Sequence, residues 1–337
     1  MLKTKFCERF GVELPIMSAG MGSVALADLA AAVSEAGGMG TVALVILTPE
    51  GIRDELASAR SLTKRPLACN VLIPFLRPGV VEAVAAAPVE AVTLFWGDPA
   101  EHIPPFKNVG KKVIWQCGSA EEAVAACRAG ADAIIAQGVE AGGHVRGVVT
   151  SLVLIPQVRD AIGSDAVLLA AGGFADGRGL AAALALGADG VVLGTRLLAS
   201  TEAAAHPAYK QRVLSARPED TVYTTLYDVG WPEATHRVLR TAVYEEWERA
   251  GRPSSGRRPG EGAEVGRISR AGIEMPPLAK YSVIPPAACA EGDIEQFAFY
   301  AGMACALTNE ILPAGEIVRR IAADAHEIIA NRLASLA

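Results

Sequence analysis

The chain has 337 residues, with 31 Lys+Arg against 37 Asp+Glu and a formal net charge of −6. This balance excludes the basic character of a nucleic-acid binder. With 51% hydrophobic and 20% charged residues, the chain is no disordered polypeptide. Aromatic residues make up 5% against 34 glycines, so the apolar content is largely aliphatic and suits buried strands alternating with Ala-rich helices.

Eight short apolar runs follow in chain order: Leu14–Ala19, Gly38–Leu44, Pro66–Ile73, Val89–Trp96, Lys111–Cys117, Ala131–Gln137, Val167–Ala171 and Gly190–Thr195. Each is strand-length and too apolar to alternate, which marks strands buried on both faces. Segments of helical period lie between them, such as Leu26, Leu29, Ala30 and Val33 at i, i+3, i+4, i+7, and the Ala/Leu-rich Gly179–Leu186. Eight alternating β and α units predict an α/β fold, a parallel (β/α)₈ (TIM) barrel. Gly130-Ala131-Asp132 and Gly187-Ala188-Asp189 form a partial repeat in which a glycine stops a helix and an apolar run opens a strand. The stretch Asp98-Pro99 to Pro104-Pro105 is dense in helix breakers.

After Glu202 the pattern changes. Residues 204–290 are predicted to be a smaller, mainly helical insertion, a cap over the barrel's C-terminal mouth that would set substrate specificity, leaving 1–203 and 291–337 for the barrel. Within it, Gly251–Arg270 reads as an exposed mobile loop. Trp231 and Trp247 would serve either a homodimer contact or a small core of the insertion. Residues 293–309 look helical and are expected to supply the barrel's last helix. The final segment carries an apolar stripe at Ile317, Ile321, Ala325 and Ile328, with Arg319, Arg320 and His326 off it. The six cysteines are scattered without metal-like spacing, as expected of inert thiols in a reducing compartment. No secretory h-region opens the chain, and no uncharged apolar run approaches the ~20 residues of a membrane span. A cytoplasmic protein is expected.

Barrel active sites sit at the C-terminal ends of the strands. Here those ends read Met17-Ser18-Ala19-Gly20-Met21-Gly22, Asn70, Gln116, Gln137-Gly138, Gly172-Gly173 and Gly194-Thr195. Small residues admit a flat ligand close to the backbone, and amide side chains offer both donor and acceptor. The loops Ala171–Gly179 and Gly194-Thr195-Arg196 follow the last two strands, where barrels bind phosphate with backbone N–H groups and a helix N-terminus. Asp176 would be a helix N-cap or a catalytic carboxylate; Arg178 and Arg196 would meet a phosphate or make surface ion pairs. His144 follows Gly142-Gly143 just past strand six. It would be a general base over the barrel mouth or a loop hydrogen-bonding group. Glu140 would orient His144 or be solvated. His102, His206, His236 and His326 read as structural or solvated.

Residues 137–144 (Gln-Gly-Val-Glu-Ala-Gly-Gly-His), 170–179, 187–199, 15–22 and 35–40 together resemble the nitronate monooxygenase family, formerly 2-nitropropane dioxygenases. That resemblance covers about residues 5–205 and returns near 293–310. It implies a TIM barrel with non-covalent FMN and a small second domain. His144 would match the active-site histidine. Gly172, Gly173, Gly194 and Thr195 would hold the FMN phosphate. Met21, Asn70, Gln116, Gln137 and Gly143 would line the rest of the flavin. The leading expectation is oxidative denitrification of alkyl nitronates with O₂. The family's motifs also occur in flavin-dependent enoyl-ACP reductases and NADH:quinone reductases, so an NAD(P)H-dependent reductase acting on a quinone or enoyl thioester stays open. A flavin-free phosphate-binding barrel is the reading from another class. Met303 stands where many members carry Gln.

Overall fold

A computed structural model describes residues 2–270, 273 and 275–336. The chain order begins with α1 (Lys5–Phe10), β1 (Ile16–Ser18), α2 (Ala27–Glu35), β2 (Gly40–Ala43), α3 (Pro49–Leu62), β3 (Leu67–Leu72) and α4 (Val80–Ala86). It continues with β4 (Ala91–Phe95), α5 (Pro99–Asn108), β5 (Lys112–Cys117), α6 (Ala120–Arg128), β6 (Ala133–Gln137), β7 (Gly143–His144), α7 (Ser151–Ile162) and β8 (Val167–Ala171). Then come α8 (Gly177–Ala185), β9 (Gly190–Leu193), α9 (Thr195–Leu198) and α10 (Pro207–Ser215).

Eight parallel strands run in the order β1-β9-β8-β6-β5-β4-β3-β2. Ser18 N–H donates to Met39 O at 3.0 Å and Met39 N–H to Ile16 O at 2.9 Å, which joins β1 to the start of β2 and closes the barrel. Each of the eight falls inside its predicted apolar run. Alternation exists, but both faces are buried. Met17, Ala68, Ala91, Ile114, Ala133 and Leu169 fill the interior with Phe6 and Phe10 of α1, which plugs the barrel's N-terminal end. Ile16, Cys69, Val92, Val113, Ile134 and Leu168 face outward onto the helices.

The partial repeat has one physical role in both copies. Gly130 (φ 94°) and Gly187 (φ 96°) end their helices in the left-handed region. Asp132 and Asp189 then accept the N–H of Val113 (2.7 Å) and Leu168 (2.9 Å), satisfying a donor near the start of the neighbouring strand. The breaker-rich stretch still forms α5: Asp98 caps it by accepting Ala100 N–H at 2.9 Å, and Pro99 sits at its first position.

Three expectations are corrected. The segment 204–290 is mixed rather than mainly helical. Besides α10 it holds β10 (Thr221–Thr224), β11 (His236–Leu239), α11 (Ala242–Arg249), β12 (Glu264–Ile268), β13 (Leu278–Ala279) and the start of β14 (Ala290–Gly292). Its strands are short and rely on partners distant in sequence, so no local period reveals them. One three-stranded sheet has the order β10-β11-β7, the other β13-β12-β14. Next, 293–309 forms only two 3₁₀ turns, Ile294–Gln296 and Met303–Leu307. The barrel's last outer helix is α12 (Ala314–Glu327), packed between α8 and α2 through the predicted stripe of Ile317, Ile321 and Ala325. Finally, the 251–270 loop is pinned. Arg258, 6% exposed, donates to Leu226 O (2.7 Å), Asp228 (2.6 Å) and Glu261, with its guanidinium 4.4 Å from the Tyr281 ring centroid. Trp231 and Trp247 pack into two small clusters of this region, with Ile268 and Leu278 and with Tyr227 and Tyr244 respectively.

Candidate active site

The C-terminal ends of the barrel strands open into a cleft of about 1320 Å³, its mouth included. Met21, Asn70, Gln116, Gln137, Gly143, His144, Gly172, Gly173, Gly194 and Thr195 all line it. Asn70 donates through Nδ2 to Thr93 O at 3.4 Å, and any Cβ on Gly20 would overlap its side chain. Gln137 donates through Nε2 to the His144 carbonyl at 3.0 Å, while its Oε1 has no partner among the described residues. That enclosed oxygen has a hydrogen bond still to make.

Gly172 (φ 98°) and Gly173 (φ 85°) turn the backbone through the left-handed region. Among the described residues, the N–H groups of Gly172, Gly173 and Phe174 have no backbone acceptor. Asp176 closes the loop as the N-cap of α8, accepting from Arg178 N (3.0 Å) and Gly179 N (3.2 Å). Arg178 pairs with Asp176 on the surface. Arg196 is buried and donates to Glu310 O at 3.1 Å, which makes it a tie to the C-terminal segment. Neither arginine lines the cleft, so attraction for an anion comes from backbone N–H groups. Thr195 Oγ1 accepts Gly302 N–H at 3.0 Å, leaving its own proton to donate.

His144 lies in β7, a two-residue strand that pairs with β11, with His144 opposite His236 and Gly143 opposite Arg237. Its ring stacks on Trp231 at 4.1 Å and 27°, with Tyr300 at 5.4 Å and His236 at 5.5 Å. Burial, and then the neighbouring His236, push its pKa well below the usual histidine range. The imidazole is therefore neutral near pH 7: it can offer an N–H or a lone pair, but no charge. Nε2 is enclosed without a partner among the described residues. Glu140 neither orients His144 nor points to solvent. It caps α7, accepting Ser151 N–H at 2.9 Å.

His236, read as structural or solvated, is structural and stays out of the cleft lining. It is fully buried, and burial pushes its pKa down to about 4. The remaining histidines lie outside the cleft: His206 caps α10 by accepting Ala208 N–H at 3.2 Å, and His102 approaches Asp98 O. The expected overhang of 204–290 appears in the cleft's outer wall, though its individual residues were not singled out for it. That wall consists of Phe75, Trp231, Val283, Ile284 and Tyr300, with Trp96 behind Trp231 at 4.9 Å. Met303 does not line the cleft, although Gly302 and Ala304 do. No Lys, Arg, Asp or Glu is among the described lining residues. Among the described residues no group of three or more His, Cys, Asp or Glu is arranged to hold a metal, and no helix is long and apolar enough to cross a membrane. All six cysteines are free; burial pushes the Cys69 thiol up to about 12, as for an inert core group.

The nitronate monooxygenase family model matches residues 3–84 and 77–324. A Neurospora crassa nitronate monooxygenase is 32% identical over 364 aligned positions, covering 93% of this chain and 89% of its own. A Mycobacterium tuberculosis (3aS,4S,5R,7aS)-5-hydroxy-7a-methyl-1-oxo-octahydro-1H-indene-4-carboxyl-CoA dehydrogenase is 39% identical, covering 74% of this chain and 70% of its own. Among solved structures, FabK from Thermotoga maritima superposes with a TM-score of 0.81 at 33% identity, covering all of both chains. The nitroalkane oxidase of Streptomyces ansochromogenes gives 0.74 at 28% identity, covering 97% of this chain and 98% of its own. With a TIM barrel, a cleft at the C-terminal ends of its strands and a family match across most of its length, the chain belongs to the nitronate monooxygenase family of flavin-dependent oxidoreductases.

Proposed function

We propose that the cleft holds FMN and that the enzyme oxidises alkyl nitronates with O₂ to a carbonyl compound and nitrite. The observation that carries this reading is the meeting of a neutral His144 and two glycine loops in one cleft. The residues fit the cofactor. Unpartnered N–H groups of the Gly172–Phe174 loop suit a phosphate, and so does the Thr195 hydroxyl. Gly194 leaves the backbone open, since a Cβ there would meet only Ala19 at 3.7 Å. Met21, Asn70, Gln116, Gln137 and Gly143 would lie along the isoalloxazine ring and ribityl chain, where the free Oε1 of Gln137 can accept a ring N–H.

When bound, FMN supplies the electron transfer and the reaction with O₂. The protein's own residues bind, orient and exclude water. A nitronate is already a carbanion and needs no base. His144 takes up protons poorly at neutral pH, so its role is to donate an N–H to a nitronate oxygen and fix the substrate's orientation. Phe75, Trp231 and Tyr300 wall the site against solvent. On this reading residues 1–203 and 291–337 form the flavin barrel and 204–290 a cap that sets substrate choice. O₂ uptake and nitrite release on adding propyl-2-nitronate test it; an enzyme that consumes no O₂ with alkyl nitronates overturns it.

One observation favours a second reading. The uncharged, largely apolar outer wall suits a larger neutral substrate, and the relatives include a carboxyl-CoA dehydrogenase and FabK. An NAD(P)H-dependent reductase acting on an enoyl thioester or quinone is the corresponding activity. Anaerobic bleaching of the flavin band by NADH or NADPH supports it, and an unbleached flavin removes it.

A further inference from the structure

The insertion delivers a strand to the loop that bears the reactive histidine. β11 pairs antiparallel with β7, and His236 stands directly opposite His144. Both ring nitrogens of His236 are already used. Nδ1 lies 2.9 Å from Ala234 O, to which only an N–H can donate, and Nε2 accepts Tyr227 N–H at 3.3 Å. This fixes one neutral tautomer, because protonating Nε2 would set an N–H against the Tyr227 N–H. The His236 ring is therefore an immobile body with no free polar atom. His144 lies between it and the stacked indole of Trp231, 5.5 Å and 4.1 Å away between ring centroids. By contrast, no hydrogen bond from His144's own ring holds it among the described residues, since only its backbone carbonyl is engaged, by Gln137.

We propose that His236 is a positioning residue: its ring, locked by its own two hydrogen bonds, holds the His144 imidazole in one rotamer against Trp231 and so sets the direction in which that imidazole meets a ligand. This rests on the reading of His144 as the substrate-contacting group, but the packing can be read without any substrate. The ionisable groups around His144 are His236 on β11 and Tyr300; Arg146, one residue beyond β7's neighbour Val145, has its guanidinium 5.4 Å from the Trp96 ring.

The test uses flavin-loaded protein carrying ¹³C-labelled histidine, with the His144 signals assigned by their loss in His144→Ala. In the wild type, stacking on Trp231 shifts the ring C–H protons of His144 upfield, and they do not titrate between pH 8 and 6.5. In His236→Ala these signals should move back toward free histidine, with a titration midpoint at least one pH unit higher. His236→Gln, whose Oε1 can still accept Tyr227 N–H, should recover most of the shift. Val238→Ala, two residues along the same face of β11 but opposite Val222 rather than His144, should lower thermal stability and leave the shift unchanged. Should His236→Ala fail to fold, His236→Phe, which keeps a ring of similar size without the hydrogen bonds, takes its place with the same expected movement. Unchanged His144 signals in the folded substitution, or equal movement in Val238→Ala, overturn the proposal. Loss of nitronate turnover in the wild type would sink the proposed reaction without touching this result.

Discussion

The cleft has two walls of different origin. Its floor comes from the barrel: Asn70, Gln116, Gln137, Gly172–Gly173 and Gly194–Thr195, each at or just past the end of a parallel strand. Its outer wall comes from elsewhere: Phe75 from a loop, Trp231, Val283 and Ile284 from the insertion, and Tyr300 from the returning chain. The floor is polar and glycine-rich; the wall is aromatic and aliphatic. A floor built on strand ends has its geometry set by the ladder of the sheet. The wall hangs on long connections anchored by individual contacts, such as Arg258 on Asp228 and Glu261, or Tyr300 Oη on Val283 O at 2.9 Å. In such an enzyme the floor can keep its cofactor while the wall changes its substrate.

That division can be broken at defined points. His144 sits where floor meets wall, and the largest effect is expected there. His144→Ala should retain flavin while turnover falls about 10²–10³-fold, the range typical of losing a hydrogen-bond donor aimed at a reacting oxygen. Unchanged turnover per bound flavin would contradict its role. On the wall, Arg258→Met strands two carboxylates against the rim of the insertion. The expected loss is about 3 kcal/mol in urea unfolding, with flavin affinity preserved at temperatures where the protein is folded. A loss under about 0.5 kcal/mol would show that 251–270 is not held by this arginine. Within the floor, Gly173→Val places a branched side chain at φ 85°. Strain of about 1–3 kcal/mol should weaken flavin binding roughly ten- to hundredfold, measured by fluorescence titration of apoprotein, and leave the wall intact.

The smallest and most graded effect concerns pH. His236, held near 4 by burial, and His144, held well below its ordinary value, both resist protonation when folded. The unfolded chain takes up these protons near pH 6.5. Stability is therefore full above 6.5 and falls as pH drops from there toward 4. Glu261 acts further down. The Arg258 side chain bonded to it holds its carboxyl at about 2, so its contribution is present above the ordinary glutamate range and is lost as pH falls toward 2. A stability curve flat between pH 6.5 and 4 would contradict the buried neutral pair.

The floor was legible in sequence for a physical reason. Doubly buried strands must be continuous apolar runs, so their ends mark the barrel mouth, and the residues just past them are the floor. All ten residues singled out there line one cleft. The wall was legible as a cap over the mouth but not residue by residue. His236 reaches His144 through β11, a four-residue strand whose pairing with β7 spans more than ninety positions, and Trp231 arrives on the connection between β10 and β11. Met303 drew attention in sequence yet stays out of the cleft, while its neighbours Tyr300 and Gly302 line it. Near Arg258, a composition rich in Gly, Arg, Pro and Ser suggested mobility. One arginine with four oxygen partners and an aromatic face gave an anchored loop instead.

The most direct measurement is the absorbance spectrum of the purified protein, followed by chromatography of what heat denaturation releases. The floor residues predict the yellow colour and two absorbance bands of a flavoprotein, with one FMN released per chain. A colourless protein that binds no added FMN, or one that releases a different cofactor, would contradict the assignment of the floor.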